Sequence, residues 1–230
     1  LHPGAVVYPV ALAVGETLGA SGRDILAAAV IGYEVACRLS LALSPADHYA
    51  HGFHPTGTAG TFAAAATAGY LLRFSTDQMI NAFGIAGSQA AGLLEFLADG
   101  SWTKRLHPGW AAHAGIFAAE LARGGFIGPH RIIEGNFGFV RSYSDSPKPE
   151  AVLDGLGSVY HILKTAIKPH ACCRYNQAPI DGVLELVNEH NINPTSIERI
   201  RIGVLKIAFP LVVEPVDKKR RPKSVVDAQF

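Results

Sequence analysis

The sequence has little charge, little sulfur and no dominant sign. Only 17% of its 230 residues are Asp, Glu, Lys or Arg, and 20 basic against 19 acidic residues leave a formal charge of +1. A typical soluble domain carries roughly 25% charged residues, so much of this chain's surface is expected to be hidden in a core or a subunit interface. The balanced charge provides no global basic field, which argues against nucleic acid or an anionic membrane as a partner. Three cysteines, Cys37, Cys172 and Cys173, are too few for a disulfide framework and fit a reducing cytoplasm. No stretch reads as a membrane span. The most apolar run, Thr61–Leu72, is short and built mostly of small residues, whereas a crossing needs ~20 strongly apolar positions. No Gly-rich phosphate loop sits between a strand and a helix, and the cysteines lack iron–sulfur spacing. The chain starts at Leu1 without an initiator Met and is read as a fragment, so a missing signal peptide excludes nothing.

What is present is a helical body followed by a segment of different texture. Val10–Leu18 continues as a helix to Gly19, with Pro9 in its first turn, and Ser21-Gly-Arg-Asp24 reads as a capped helix start. Ile25, Ala28, Gly32, Val35 and Leu39 then recur at spacings of three and four, the mark of one buried stripe. A His-rich loop is expected over Pro45–Pro55, an Ala-rich helix over Thr58–Leu72, and a helix capped by Ser75-Thr-Asp-Gln78 to about Ala91. Gly92–Gly109 reads mostly as loop, and Pro108–Arg123 as a further helix. Asp145–Pro149 resembles a linker. Beyond it Tyr160–Ile167 and Ile197–Ile207 look strand-like, with Ala178–His190 helical between them. The basic run Lys218-Lys-Arg-Arg221 is short and reads as a solvated loop.

In a chain this poor in charge, clustered polar groups carry the information. Four clusters stand out: His2-Pro-Gly4, His54-Pro-Thr56-Gly-Thr58, Lys104-Arg-Leu-His107-Pro-Gly109, and Lys168-Pro-His170 with Cys172-Cys-Arg174. Three of them lead into helix N-termini, where partial positive charge favours anions. Together they suit an anionic small molecule. Each also has a plainer reading: His-Pro as a turn, Lys104 as a surface lysine, the cysteine pair as packing, Arg174 as a partner for a nearby carboxylate. His48, His51 and His54 would chelate a metal if their loop curled, but Gly52 and Pro55 break the helix that would align them and no H-E-x-x-H pattern occurs.

Taken in order, the strings Gly52-Phe-His-Pro-Thr-Gly-Thr-Ala-Gly-Thr-Phe62, Lys104-Arg-Leu-His-Pro-Gly-Trp-Ala-Ala-His-Ala-Gly115, Gly125-Phe-Ile-Gly-Pro129 with Ile133-Glu-Gly135, and Lys168-Pro-His-Ala-Cys-Cys-Arg174 resemble the MmgE/PrpD family. That family includes 2-methylcitrate dehydratase, cis-aconitate decarboxylase and iminodisuccinate epimerase. The resemblance covers essentially the whole chain. It implies a mainly α protein with a large all-helical domain, here 1–148, and a smaller α+β lid, here 149–230. It further implies a homodimer, a small carboxylate substrate, and no metal or organic cofactor. Carried over by position, it implies His2, His54, Lys104 and Lys168 as catalytic residues; Thr56, Thr58, His107 and Arg174 are expected to hold substrate beside them. An acidic segment that the family has upstream of His2, and helices that return after the lid, are absent from these 230 residues.

The family's reactions share the labilising of a bond beside a carboxylate, which needs a positioned base and stabilisation of the growing charge. In this scheme Lys104 and Lys168 hold substrate carboxylates, while His54 and His2 divide the acid and base duties. The expected activity is a hydro-lyase resembling 2-methylcitrate dehydratase. The alternatives are an epimerase or decarboxylase of the same family, and a non-catalytic helical oligomer.

Overall fold

Most of the local helix signals are met. Helix α1 (Gly4–Leu18) stops at Gly19, whose φ of 61° is the left-handed conformation that ends helices. Helix α2 (Gly22–Ala42) starts at Ser21, whose hydroxyl accepts the Asp24 amide. A short helix, α3 (Pro45–Ala50), with proline at its first position, occupies the segment expected to be a loop. Helix α4 (Pro55–Leu71) follows, and α5 (Thr76–Gly87) is opened by a reciprocal capping box between Ser75 and Gln78. Next come α6 (Phe96–Asp99), α7 (Thr103–Arg123), α8 (Phe139–Ser142), α9 (Arg174–His190), α10 (Phe209–Val212), α11 (Val216–Arg220) and α12 (Val225–Ala228). The computed structural model describes residues 1–230. It divides into two units, 1–95 with 103–165, and 96–102 with 166–230.

The first unit is organised around α4. Every α4 residue except Tyr70 is buried, as a helix that is apolar all round must be. Its neighbours are α1, α2, α5 and α7. Alanine, glycine and threonine dominate its sequence, and the hydroxyls of Thr61 and Thr67 are satisfied within the helix, at the carbonyls of Gly57 (2.9 Å) and Ala63 (2.8 Å). Small side chains set the helix spacing. A Cβ on Gly115 of α7 would lie 2.3 Å from Ala64 Cβ and 2.7 Å from the Ala65 nitrogen and the Thr61 carbonyl oxygen of α4. On α2 the stripe expected from the sequence faces inward: Ala28, Gly32 and Leu39 are buried, and Gly32 lies against Thr67 and Val7.

A buried ion pair straps residues 152–161 to α2. The Arg38 Nε donates to Glu34 at 3.0 Å, and its terminal nitrogens donate to the carbonyls of Val152 (3.3 Å), Asp154 (2.6 Å) and Val159 (2.9 Å). The other Glu34 oxygen accepts the His161 amide. The fork of guanidinium N–H groups suits several acceptors at once.

Four expectations need correction. Residues 103–109 belong to α7 and not to a loop, because the helix accommodates Pro108 in its second turn and begins five residues earlier. No strand forms over 160–167, where a 3-10 turn spans His161–Lys164, or over 197–207. The single β-type pairing is the bridge Phe53–Leu93. Alternation becomes a strand only against a partner, and Ile200 and Ile202 stay exposed with none beside them. The basic run is no solvated loop throughout: Lys218 bonds the nearly buried Asp227 (2.8 Å) and the Leu97 carbonyl (2.6 Å), and Lys219 bonds the Leu211 carbonyl. Finally, α2 is long and apolar enough to cross a membrane by length and composition, although half of its most apolar window is buried inside this fold.

The close approach at Gly115 generates a paired prediction on one helix. Gly115→Ala forces backbone movement and lowers stability by about 1–3 kcal/mol. Gly109→Ala, where an added Cβ meets nothing within 4 Å, raises stability by roughly 0.4–1 kcal/mol. Urea unfolding of both variants measures the difference; equal midpoints would contradict the packing described.

Candidate active site

The N-terminus of α4 is the most elaborately held part of the first unit. His54 occupies the N-cap in an extended conformation, offers no side-chain cap, and is followed by no acidic residue in the first turn. Its N–H donates to the Gly92 carbonyl (2.9 Å), and its own carbonyl accepts the amides of Gly57 (2.9 Å) and Thr58 (3.2 Å). The 90–94 segment lies directly on this turn: a Cβ at Gly57 would sit 2.2 Å from the Ala91 oxygen, so only glycine fits. The bond from Leu94 N–H to the Gly52 carbonyl (2.7 Å) holds the same crossing.

Three histidines and a lysine converge there. His54 Nδ1 lies 2.9 Å from His107 Nδ1, so one ring donates and the other accepts. His107 comes from α7, where Lys104 lies one turn earlier and on the same face. His54 is 6% exposed. Burial first, then the nearby charges of His107, His2 and Lys104, push its pKa down to about 3. Burial also lowers the His107 pKa. The pair is therefore neutral near pH 7, and a neutral pair has a definite consequence. The donor ring has its hydrogen on Nδ1 and a bare Nε2; the acceptor ring has a protonated Nε2. One ring offers a base and the other an acid. His2 completes the cluster, its ring centroid 6.4 Å from that of His54. The Thr56 hydroxyl oxygen accepts the His2 amide (3.1 Å) and lies 3.3 Å from His2 Nδ1.

The remaining expected residues are placed elsewhere. Thr58 is fully buried, and its hydroxyl lies 2.9 Å from His48 Nε2. His48 is itself fully buried, with Nδ1 3.1 Å from the Tyr143 carbonyl. Because a carbonyl only accepts, His48 carries its proton on Nδ1, and Nε2 accepts from Thr58. The metal alternative over His48, His51 and His54 finds no convergence, since His51 pairs with Asp145 (2.9 Å) and His54 with His107. The sequence marks His48 only through that metal alternative. Pro45 and Asp47, a proline and an acid in a first turn, were the available signal that it stands on a helix.

Lys168 and Arg174 belong to the second unit. Lys168 Nζ donates to the Cys172 carbonyl (3.4 Å), and the exposed Arg174 opens α9. The loop they flank is knitted by the buried side chain of Gln177, which accepts the His170 amide (3.0 Å) and donates to the His170 carbonyl (3.0 Å). His170 pairs with Asp181 at 2.7 Å.

Comparison with known proteins agrees in both units. The family model of the MmgE/PrpD N-terminal domain matches residues 1–152, and that of the MmgE/PrpD C-terminal domain matches residues 170–230. A cis-aconitate decarboxylase of Aspergillus terreus is 31% identical over 215 residues, covering 87% of this chain and 44% of that protein. A cis-aconitate decarboxylase-like protein, oryM, of Aspergillus oryzae is 34% identical over 186 residues, covering 75% of this chain and 38% of that protein. The cis-aconitate decarboxylase of Homo sapiens is 37% identical over 152 residues, covering 64% of this chain and 31% of that protein. The chain thus spans less than half the length of these relatives.

The buried imidazoles dictate a pH dependence of stability. His48, His54 and His107 all bind a proton less readily folded than at their ordinary pKa of 6.5. Below that pH the unfolded chain binds more protons, so stability is retained above about pH 6.5 and is lost as the pH falls toward 3. The melting temperature should drop steadily from pH 7 to 4.5 as the unfolding free energy falls by at most about 1.4 kcal/mol per pH unit for each histidine, and His54→Gln should flatten the slope. A level profile over that range would contradict the burial of the pair.

Proposed function

The chain belongs to the MmgE/PrpD family, and on that premise we propose that it forms part of a lyase acting on a small tricarboxylate. The reading favoured is decarboxylation of a cis-aconitate-like substrate, because the named relatives are cis-aconitate decarboxylases. Dehydration, the expectation from sequence, is the second outcome to test. The observation that carries the reading is the 2.9 Å approach of the buried His54 and the half-buried His107 at the start of α4.

The chemistry follows from the substrate. In cis-aconitate one carboxylate sits on a methylene beside a carbon–carbon double bond. As its C–C bond breaks, that electron pair becomes a new double bond to the former methylene. The old double bond takes a proton at its far carbon, and carbon dioxide leaves. One proton is consumed, and the protonated Nε2 of the histidine pair is positioned to supply it. Lys104, the partial positive charge at the start of α4 and the Thr56 hydroxyl hold the carboxylates that stay. Lys168 and Arg174 are proposed as further carboxylate-holding cations, and His2 as a second proton carrier. A dehydration would use both members of the pair, the bare Nε2 to take the proton beside the carboxylate and the protonated one to release water.

Other elements of the reading are carried as proposals. The division expected from sequence, a helical domain over 1–148 and a smaller lid over 149–230, is retained as part of the reading. A homodimer is supported by the exposed Leu106, Trp110 and Phe117 of α7 and Leu12 of α1. A cytoplasmic setting is supported by the cysteine usage.

The full-length protein should release carbon dioxide from cis-aconitate. Water loss from 2-methylcitrate or citrate would instead establish the dehydratase, and solvent deuterium uptake by iminodisuccinate an epimerase. His54→Gln and Lys104→Met should each lower kcat/KM about 100- to 10,000-fold. Unchanged turnover in both variants would refute the assignment.

A further inference from the structure

We propose that His48 is a positioning residue for His54, acting through the hydroxyl of Thr58 and the first turn of α4; the inference rests on the proposed role of His54 above. Thr58 joins two ends of one chain of bonds. Its hydroxyl donates to His48 Nε2 (2.9 Å), and its amide donates to the carbonyl of His54 (3.2 Å). At the far end His48 Nδ1 donates to the Tyr143 carbonyl (3.1 Å), and the Tyr143 hydroxyl donates to the Ala90 carbonyl (2.6 Å). Two residues further on, the Gly92 carbonyl accepts the His54 amide (2.9 Å). The path therefore starts at His54 on one side and returns to it on the other.

The direction of every bond in this ring is fixed. A carbonyl cannot donate, so His48 has one tautomer only, and the Thr58 hydrogen must point at Nε2. The Thr58 oxygen also lies 3.5 Å from the His54 carbonyl, a poorer acceptor position. Without His48 the hydroxyl would turn toward that carbonyl, in competition with the amides of Gly57 and Thr58. Around His48 stand the rings of Phe53 (5.5 Å) and Tyr143 (5.8 Å), and His51 acts on it from the residue that closes the same helix. Around His54 stand His107 and Lys104 from α7, and His2. None of the groups around His48 has a role in the proposed chemistry. An imidazole locked and buried in this way holds the turn that carries the His54–His107 bond. That bond at 2.9 Å tolerates little movement, since misplacement by about 1 Å can cost on the order of 100-fold in rate.

The experiment uses the full-length protein labelled with 15N-histidine, with signals assigned through His54→Gln and His107→Gln. Wild type and Thr58→Ser should show one of the pair protonated at Nδ1 and the other at Nε2 near neutral pH. Thr58→Ala removes only the hydroxyl link. His48→Asn keeps an amide for the Tyr143 carbonyl but cannot reach Thr58. Both should lose the paired pattern, and both rings should titrate closer to ordinary histidine. In turnover, kcat should fall roughly 10- to 100-fold with KM within about twofold, and Thr58→Ser should restore it. Folded Thr58→Ala and His48→Asn proteins with wild-type ring signals would overturn the inference. So would failure of both to fold while Thr58→Ser folds, since that marks a purely structural role. Absence of turnover in the wild type would refute the proposed function alone, because the ring signals are read without substrate.

Discussion

Everything in the first unit depends on α4 being wrapped on all sides. A helix with no solvent face needs neighbours around its whole circumference, and small residues on both sides of each contact let four helices reach it. The tolerance is narrow where Gly115 and Gly32 meet its backbone and side chains. Many close contacts between alanines line the helix beside a few large side chains such as Phe62 and Phe139, and since each contact is weak the fit carries the sum. The same wrapping explains why the start of α4 is so well defined: a helix that cannot shift along its axis presents its first turn at a fixed place.

That first turn is electropositive without being ionised. The Gly57 and Thr58 amides close on the His54 carbonyl, no acid stands in the first turn, and burial lowers the pKa of the histidines beside it. A carboxylate approaching such a turn meets oriented dipoles and one lysine, and the imidazoles keep the freedom to exchange a proton.

Much of this was legible in the sequence where a local rule has a local cause. Ser21 and Ser75 cap their helices because an acid or amide lies three residues on, and the spacing from Ile25 to Leu39 describes a real buried stripe. The cluster of His2, His54, Lys104 and His107 was also legible, since family strings place these residues near helix starts. What escaped depends on partners distant along the chain. Pro108 looked like a helix beginning because nothing nearby shows that α7 can start earlier and carry it. Ile200 and Ile202 alternate like a strand, but alternation alone cannot provide the strand opposite. Lys218 looked solvated because its partner, Asp227, lies nine residues further and its other acceptor, Leu97, lies far upstream. His48 looked like a loop residue because burial is a property of the surrounding fold.

The strap formed by Arg38 has an evolutionary corollary. It grips backbone oxygens at residues 152, 154 and 159, and every residue type supplies those oxygens equally well. Exposed side chains of the strap such as Asp154 are thus freer to vary than Arg38 and Glu34, while Val152 packs on the core and Gly155 and Gly157 hold left-handed turns. Descendants of this sequence should keep an invariant pair on one helix facing a more variable stretch, and that stretch would be mistaken for a loose tether when it is among the better anchored parts of the unit.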